Sequence, residues 1–312
     1  MRNYILKRFL LLLFLLIAVS SLVFFLVHLV PGDPVLTILG EGAAGEDIER
    51  VRRELNLDKP ILRQYLDFSK SLVDLSFGKS LYDNRAVSRN ILIYLPNTLY
   101  LALAAMLLAL VISFPPGVWA ALKGDSHRAA DAAVTFFSSV GLAVPNFFLG
   151  PLLIIIFSLE LGWLPVSGSE GIQYIILPAL TLAASMSAFL TRIIRNAVSM
   201  ELQKPYVLLA RAKGLREFQI FRKHLLKNAM IPIMTVIGLQ LGALLTGTII
   251  TETIFSWQGI GSLLVTSIHR RDYPMVQGII VFITFVYLIL SFLVDLSYFF
   301  FDPRTRHEIK NQ

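Results

Sequence analysis

The chain has 312 residues, is 55% hydrophobic and carries a formal net charge of +7. It holds no cysteine, which excludes structural disulfides and thiolate metal sites, and its five histidines show no H-E-x-x-H or comparable ligand spacing, so no metal site is expected. Apolar residues fall in blocks of about twenty or more instead of alternating with polar ones, which argues against a soluble domain and for a polytopic, all-α membrane protein.

Arg2, Lys7 and Arg8 precede the first apolar block, roughly 9–30, in which Leu10–Val30 is interrupted only by Ser20, Ser21 and His28. A signal peptide is the competing reading. The run is longer than a signal core and no small-x-small cleavage site follows it, so a retained first span is expected. Pro31-Gly32-Asp33-Pro34 then ends that helix. The piece 31–95 reads as a small helical insert outside the membrane. Glu46–Leu57 is predicted helical, with Ile48, Val51 and Leu55 on one face and Glu46/Arg50 and Glu49/Arg53 as i, i+4 pairs. A second helix follows from Pro60, with Leu62, Tyr65, Leu66 and Leu72 available for burial. The insert either packs on the spans or meets an external partner. Gly78-Lys79-Ser80 resembles the end of a phosphate-binding loop, but Val73 stands where that loop needs glycine and no strand precedes it. No paired carboxylates or Ser/His/Asp set sits in a plausible pocket, so no catalytic residue is assigned.

Five further spans are read at roughly 97–122, 131–157, 172–191, 229–251 and 276–300. The remaining divisions are 1–30 for the N-terminus and first span, 96–301 for the other five spans, and a tail from 302 to 312. Orientation follows the basic residues. Lys123 and Arg128 occupy one short loop, nine lysines and arginines crowd 191–228 against Glu201 and Glu217, and Arg304, Arg306 and Lys310 end the chain. All lie on one side, so both termini are expected in the cytoplasm of a bacterial or archaeal cell, with the insert outside it. Net charge then reflects topology and contact with membrane lipid, with no nucleic-acid partner expected.

Within 191–228, Met200–Gly214 reads as a short interfacial helix with Tyr206, Leu209, Ala210 and Lys213 on about one face, ended by Gly214. Residues 215–228 read as a second helix, with Phe218, Phe221 and Leu225 towards the membrane and Arg222, Lys223 and Lys227 towards water or headgroups. By composition this is either an amphipathic connector or a surface approached by another protein. Gln240, Thr246, Thr248, Thr251 and Glu252 give the fifth span a mildly polar face and are candidate substrate-path residues, although Gly238, Gly242 and Gly247 also suit plain helix packing. Glu252 and Asp272 near the outer mouth suit either a cationic ligand or bonds to the insert. Asp295 is an acid within an apolar stretch, and Arg192 or Arg195 is its expected partner.

Ala210-Arg211-Ala212-Lys213-Gly214-Leu215, followed by Arg222–Pro232, resembles the EAA loop of ABC-importer permeases of the dipeptide/oligopeptide/nickel type. Pro31–Pro34, Leu177–Leu182, Glu252–Trp257, Arg271–Pro274 and Asp302–Arg304 match blocks of the subunit likened to the first permease of a dipeptide system, in order along nearly the whole chain. Aligned on Gly214, the general pattern E-A-A-x3-G-x9-I-x-L-P places its glutamate and first alanine on Leu208 and Leu209, its isoleucine on His224 and its proline on Lys227, whereas Ala210 and Leu226 match. No carboxylate is therefore available at position 208.

The resemblance implies the six-helix type I importer fold and a translocation subunit in the cytoplasmic (inner) membrane, without enzymatic activity of its own. It implies a second homologous permease, two ABC ATPase subunits that bind ATP and Mg, and an extracytoplasmic binding protein as partners. Tyr206, Ala210, Arg211, Ala212, Lys213 and Gly214 then form the helix that couples to an ATPase. The implied cargo is a dipeptide or oligopeptide, with a nickel chelate, haem or sugar as alternatives. An ion-coupled carrier is the rival class; it predicts buried ionisable residues or broken central helices.

Overall fold

A computed structural model describes the backbone of residues 2–40, 42–123 and 128–301, and their side chains except at 2–5, 128–131, 245–247 and 294–301. Thirteen α-helices follow one another in these residues: α1 Arg2–Leu29, α2 Pro34–Leu39, α3 Gly45–Glu54, α4 Ile61–Val73, α5 Val87–Lys123, α6 Arg128–Ala143, α7 Asn146–Leu153, α8 Ile172–Leu202, α9 Pro205–Ala212, α10 Glu217–Ile220, α11 Leu226–Ile254, α12 Ile260–His269 and α13 Tyr273–Phe301. Two π-helical stretches, Ile154–Glu160 and Phe221–Leu225, prolong α7 and join α10 to α11. Among the described residues the only β pairing is an isolated bridge, Lys79 to Ala86. Five helical stretches are long and apolar enough to cross a membrane, and a sixth if α6 and the α7 segment count as one span.

That sixth span departs from expectation. Residues 131–157 do not form one straight helix: the chain bends by 92° between Ala143 and Asn146. Pro145 lacks an N–H and disfavours helical geometry in Val144, so α6 stops there and α7 restarts with Pro145 extended as its N-cap. Other helices overrun their predicted ends. α5 is 37 residues, about 55 Å at 1.5 Å per residue, so it extends well past about 30 Å of hydrocarbon. α8 continues to Leu202, and the helix predicted at 215–228 is the start of the fifth span itself, running through the π stretch into α11.

The chain divides into two compact units, Met1–Thr98 with Gln258–Ile289, and Leu99–Trp257 with Leu290–Gln312. In the first, Phe24 of α1, Phe68 of α4 and Val281 of α13 form a small core flanked by Leu16, Tyr65, Leu72 and Phe77. Tyr65, Phe68 and Leu72 share one helical face, which leaves Leu62 and Leu66 exposed, contrary to expectation. Asp33 caps α2 through Val35 N (2.9 Å) and pairs with Arg52, while Arg50 pairs with Asp47 at 2.7 Å and not with Glu46. The two motifs Pro31–Pro34 and Arg271–Pro274 meet: a Cβ on Gly32 would lie 1.1 Å from an Arg271 guanidinium nitrogen, and Tyr273 Oη donates to Gly32 O at 3.4 Å.

In the second unit the core runs from Leu101, Ala105 and Ala109 of α5 through Leu182, Leu190 and Ile194 of α8 to Leu225 of the second π stretch and Ala229 and Ile233 at the head of α11. α8 is its axis. Small residues bring the neighbours close: Gly141 of α6 faces Ala188, where a Cβ would sit at 2.8 Å, and Gly117 of α5 faces Ile194 and the Thr191 carbonyl at 2.9 Å.

Candidate functional site

The loop flagged by sequence is shorter and stiffer than 191–228. It is the hairpin Gln203–Arg216, hung between α8 and α10, with α9 as its one helix. α9 starts at Pro205, not Met200. Proline tolerates the first helical position because that N–H has no intrahelical partner.

Three contacts fix α9 from behind. Val207 and Ala210 are buried against Ile220 of α10, with Tyr206 packed beside them. Glu201, the last acid of α8 and 8% exposed, accepts from Lys204 Nζ and, at 2.6 Å, from Tyr206 Oη. Burial pushes the Tyr206 phenol up, with Glu201 adding to the rise and Asn228 opposing it. Arg211 closes the mouth of the hairpin, donating from Nε and Nη2 to the two Glu217 oxygens at 2.8 and 3.2 Å. That pair is exposed and worth little by itself.

The helix ends by backbone chemistry. Gly214 takes φ +75°, its N–H bonds Arg211 O at 2.9 Å, and Leu215 N–H bonds Ala210 O at 3.3 Å. This is the paired bonding of a Schellman turn, which needs a left-handed residue where Gly214 stands. What remains outward is Leu208 (73% exposed), Leu209, Arg211, Ala212, Lys213 and Gly214, with Phe218 (70%) beyond. The predicted faces are thus corrected. Tyr206 and Ala210 point inwards as anchors, Leu209 and Lys213 point outwards, Phe218 is exposed, as a lipid-facing side chain would be, and Leu225 is buried in the protein core where a position towards the membrane was expected.

Of the predicted path residues whose side chains are described, Gln240 stands apart, whereas Thr248, Thr251 and Glu252 share one buried face of α11. Gln240 lines a cavity with Asn146 and Ser185. Thr248 and Thr251 are enclosed, and neither hydroxyl has a hydrogen-bond partner among the described residues. Glu252 is fully buried, not at an open mouth, because the chain turns over it at Phe255–Trp257, where Trp257 N bonds Glu252 O at 2.8 Å. The Thr246 and Asp295 side chains lie outside the described residues. Arg192 donates to Ser139 Oγ of α6 at 2.6 Å, and Arg195 lies one turn further along α8.

Two groups carry no motif in the sequence. Glu201 reads there only as a charge, although an acid five residues before a tyrosine at a helix junction is placed to accept its hydroxyl. Ser80, within the discarded phosphate-loop look-alike, donates to Asp272 in the first unit.

Residues 113–307 match the family described as binding-protein-dependent transport system inner membrane component, and residues 1–102 match the N-terminal part of such membrane components. The chain is 39% identical over 308 residues to the glutathione transport system permease protein GsiC of Escherichia coli strain K12, covering 99% of this chain and 100% of the relative, with the same figures for GsiC of Shigella dysenteriae serotype 1 (strain Sd197). Among solved structures, an inward-facing form of the MetNI methionine ABC transporter is similar at TM-score 0.53 and 18% identity, over 66% of this chain and 93% of that one. An amino acid ABC transporter crystallised with histidines is similar at TM-score 0.52 and 20% identity, over 67% and 92%. These structures share the fold of type I importer permeases. The chain therefore belongs to the binding-protein-dependent transport system inner membrane components, as a multi-pass inner-membrane permease subunit of an ABC importer that works with ATPase and binding-protein partners and is not itself an enzyme.

Proposed function

We propose that this chain forms half of the translocation pathway of a peptide importer. It pairs with a similar second permease, an extracytoplasmic binding protein delivers the cargo, and two ATPase subunits, which bind the ATP and Mg, engage the cytoplasmic loops. The chain holds no cofactor in this scheme. The observation that carries the reading is the outward face of α9. Leu208, Leu209 and Ala212 stand clear on a helix whose opposite side is anchored by Val207, Ala210 and the Glu201–Tyr206 bond. An exposed apolar face on an anchored helix fits a cleft in a partner. α10 and α11 form one continuous helix from Glu217, so a push on the hairpin passes directly into the fifth span. The peptide assignment is supported by the relative GsiC, whose cargo by name, glutathione, is itself a small peptide.

The natural chain lacks cysteine, so Ala212→Cys introduces a single thiol. The expected result is a cross-link from that thiol to an ATPase subunit of the purified complex, formed while transport is preserved when the thiol is left free. Recovery of the chain without ATPase subunits, or an introduced thiol that reacts freely with a bulky water-soluble reagent in the assembled complex, overturns the assignment of this face.

A further inference from the structure

The bend at Pro145 borders a cavity of about 310 Å³ whose lining side chains are apolar except at three positions. Asn146 is the first residue of α7, Ser185 lies midway along α8 and Gln240 midway along α11. Ser185 Oγ donates to Asn146 Oδ1 at 3.1 Å. The Gln240 amide, half-buried at the cavity, makes no hydrogen bond among the described residues. Leu182, Met186 and Phe189 supply the apolar surface, and no ionisable side chain lines the space.

That composition selects a ligand class. A carboxylate or ammonium leaving water for such a wall has no countercharge, so charged ends are disfavoured. A hydrocarbon ligand leaves the Gln240 carboxamide without a partner, at the cost of an unsatisfied polar group. A peptide group fits both requirements. It presents one donor and one acceptor, which a carboxamide oxygen and one of its two N–H groups can pair, while its neighbouring side chains meet carbon. Phe148 N and Leu149 N bond Pro145 O at 3.0 Å, which leaves the Asn146 and Phe147 N–H groups, at the positive end of that helix, to add acceptor-binding capacity at the Asn146 edge. Neutral pairing of this kind is weak and indifferent to side-chain sequence, which suits a site that cargo must leave.

We propose that this cavity is a station on the translocation path that takes the peptide backbone of the cargo, with the Gln240 carboxamide as its principal contact and Asn146 and Ser185 as a second. The proposal rests on the peptide-import reading above. It also gives the broken third span a purpose: the bend sets Asn146 opposite Ser185 where a straight helix would carry that position elsewhere.

The test uses the complete importer in proteoliposomes with saturating binding protein, and radiolabelled glutathione and trialanine as probes. Gln240→Leu is expected to lower maximal uptake of both peptides about tenfold, the scale of one lost hydrogen bond to a desolvated peptide group, without changing half-saturation by the binding protein. Gln240→Asn, which keeps the carboxamide, retains most of the rate. Ser185→Ala, a small change with no steric conflict, lowers uptake of both probes severalfold and carries the test if Gln240→Leu does not assemble. Uptake at the natural rate by Gln240→Leu, or by Ser185→Ala where that variant carries the test, overturns the station while leaving peptide import intact. Failure of the natural complex to take up either probe overturns the peptide reading itself, and the station with it.

Discussion

Ser80 donates its hydroxyl to the carboxylate of Asp272, 192 residues further along the chain. The other carboxylate oxygen accepts Leu81 N at 3.1 Å and Met275 N at 3.3 Å, so one buried acid both caps α13 and pins the loop before α5. Asp272→Asn keeps an acceptor for the two amides and a donor for Ser80, and is expected to leave the loop docked. Asp272→Ala strands both amides and is expected to cost about 1–3 kcal/mol. Limited proteolysis at residues 76–86, together with the melting temperature in detergent, separates the two variants.

The same carboxyl gives a pH signature. Burial pushes Asp272 above the ordinary carboxylate range and nearby Asp83 adds to this, against the bonds from Ser80, Leu81 and Met275. A carboxyl raised on folding contributes stability that is complete below its unfolded pKa and is lost as pH rises through the folded value. Loop protection is therefore expected to fall as pH rises from the ordinary carboxylate range through that raised value, and to stay flat there in Asp272→Asn. Asp83 has the opposite sign. Burial raises it, but bonds from the Arg85 amide, Asn90 and Ser80 and the Arg85 charge prevail and lower it, so its contribution is lost only as pH falls through that lowered value. Hydrogen exchange of the Leu81 amide across the acid range reads both windows.

Behind α9, Tyr206→Phe removes one hydrogen bond to buried Glu201 and leaves Lys204 as its remaining partner. A loss of about 0.5–1.5 kcal/mol is expected, which shortens the range over which the hairpin stays rigid. In the assembled importer the readout is peptide taken up per ATP hydrolysed. That ratio is expected to fall while basal hydrolysis holds, and an unchanged ratio shows that the hairpin does not need this anchor.

How much of this was legible follows from which residues act locally. The spans were readable because lipid demands about twenty apolar residues in a row, and Gly214 as a helix end was readable because a left-handed turn has a residue preference. Asn146 and Ser185 gave no signal: they lie 39 residues apart and are joined only because Pro145 breaks a span that hydropathy reads as continuous. Pro145 itself was visible in the sequence. Prolines also stand inside α8 and α11 without ending them, so the residue alone does not announce a 92° bend. Asp272 reads in the sequence as an acid suited to bonding the insert, and it bonds Ser80 and Leu81 there; Ser80 itself carries no signal, since a serine in a turn has many local partners and nothing nearby points to one so distant. The sequence places Glu252 only near the outer end of its span; its full burial depends on the overlying turn at Phe255–Trp257, a tertiary feature.

Gly214 separates two explanations for a glycine at the tip of the proposed coupling loop. A Cβ built on it meets nothing within 4 Å, whereas its φ of +75° closes the Schellman turn. If the backbone is the reason, substitutions should follow left-handed tolerance. Gly214→Asn is then nearly neutral, and Gly214→Ala costs about 1 kcal/mol with partial transport. Gly214→Val costs more because its branched Cβ opposes that conformation, and Gly214→Pro, with φ fixed near −65°, abolishes the turn. If instead an ATPase subunit presses against Cα, every side chain clashes and Asn, larger than Ala, is the worse of the two. Uptake by the four variants, measured alongside recovery of the ATPase subunits on purification, decides between these orders. The geometry predicts Asn above Ala above Val and Pro, and a reversal of Asn and Ala assigns the glycine to the partner's surface.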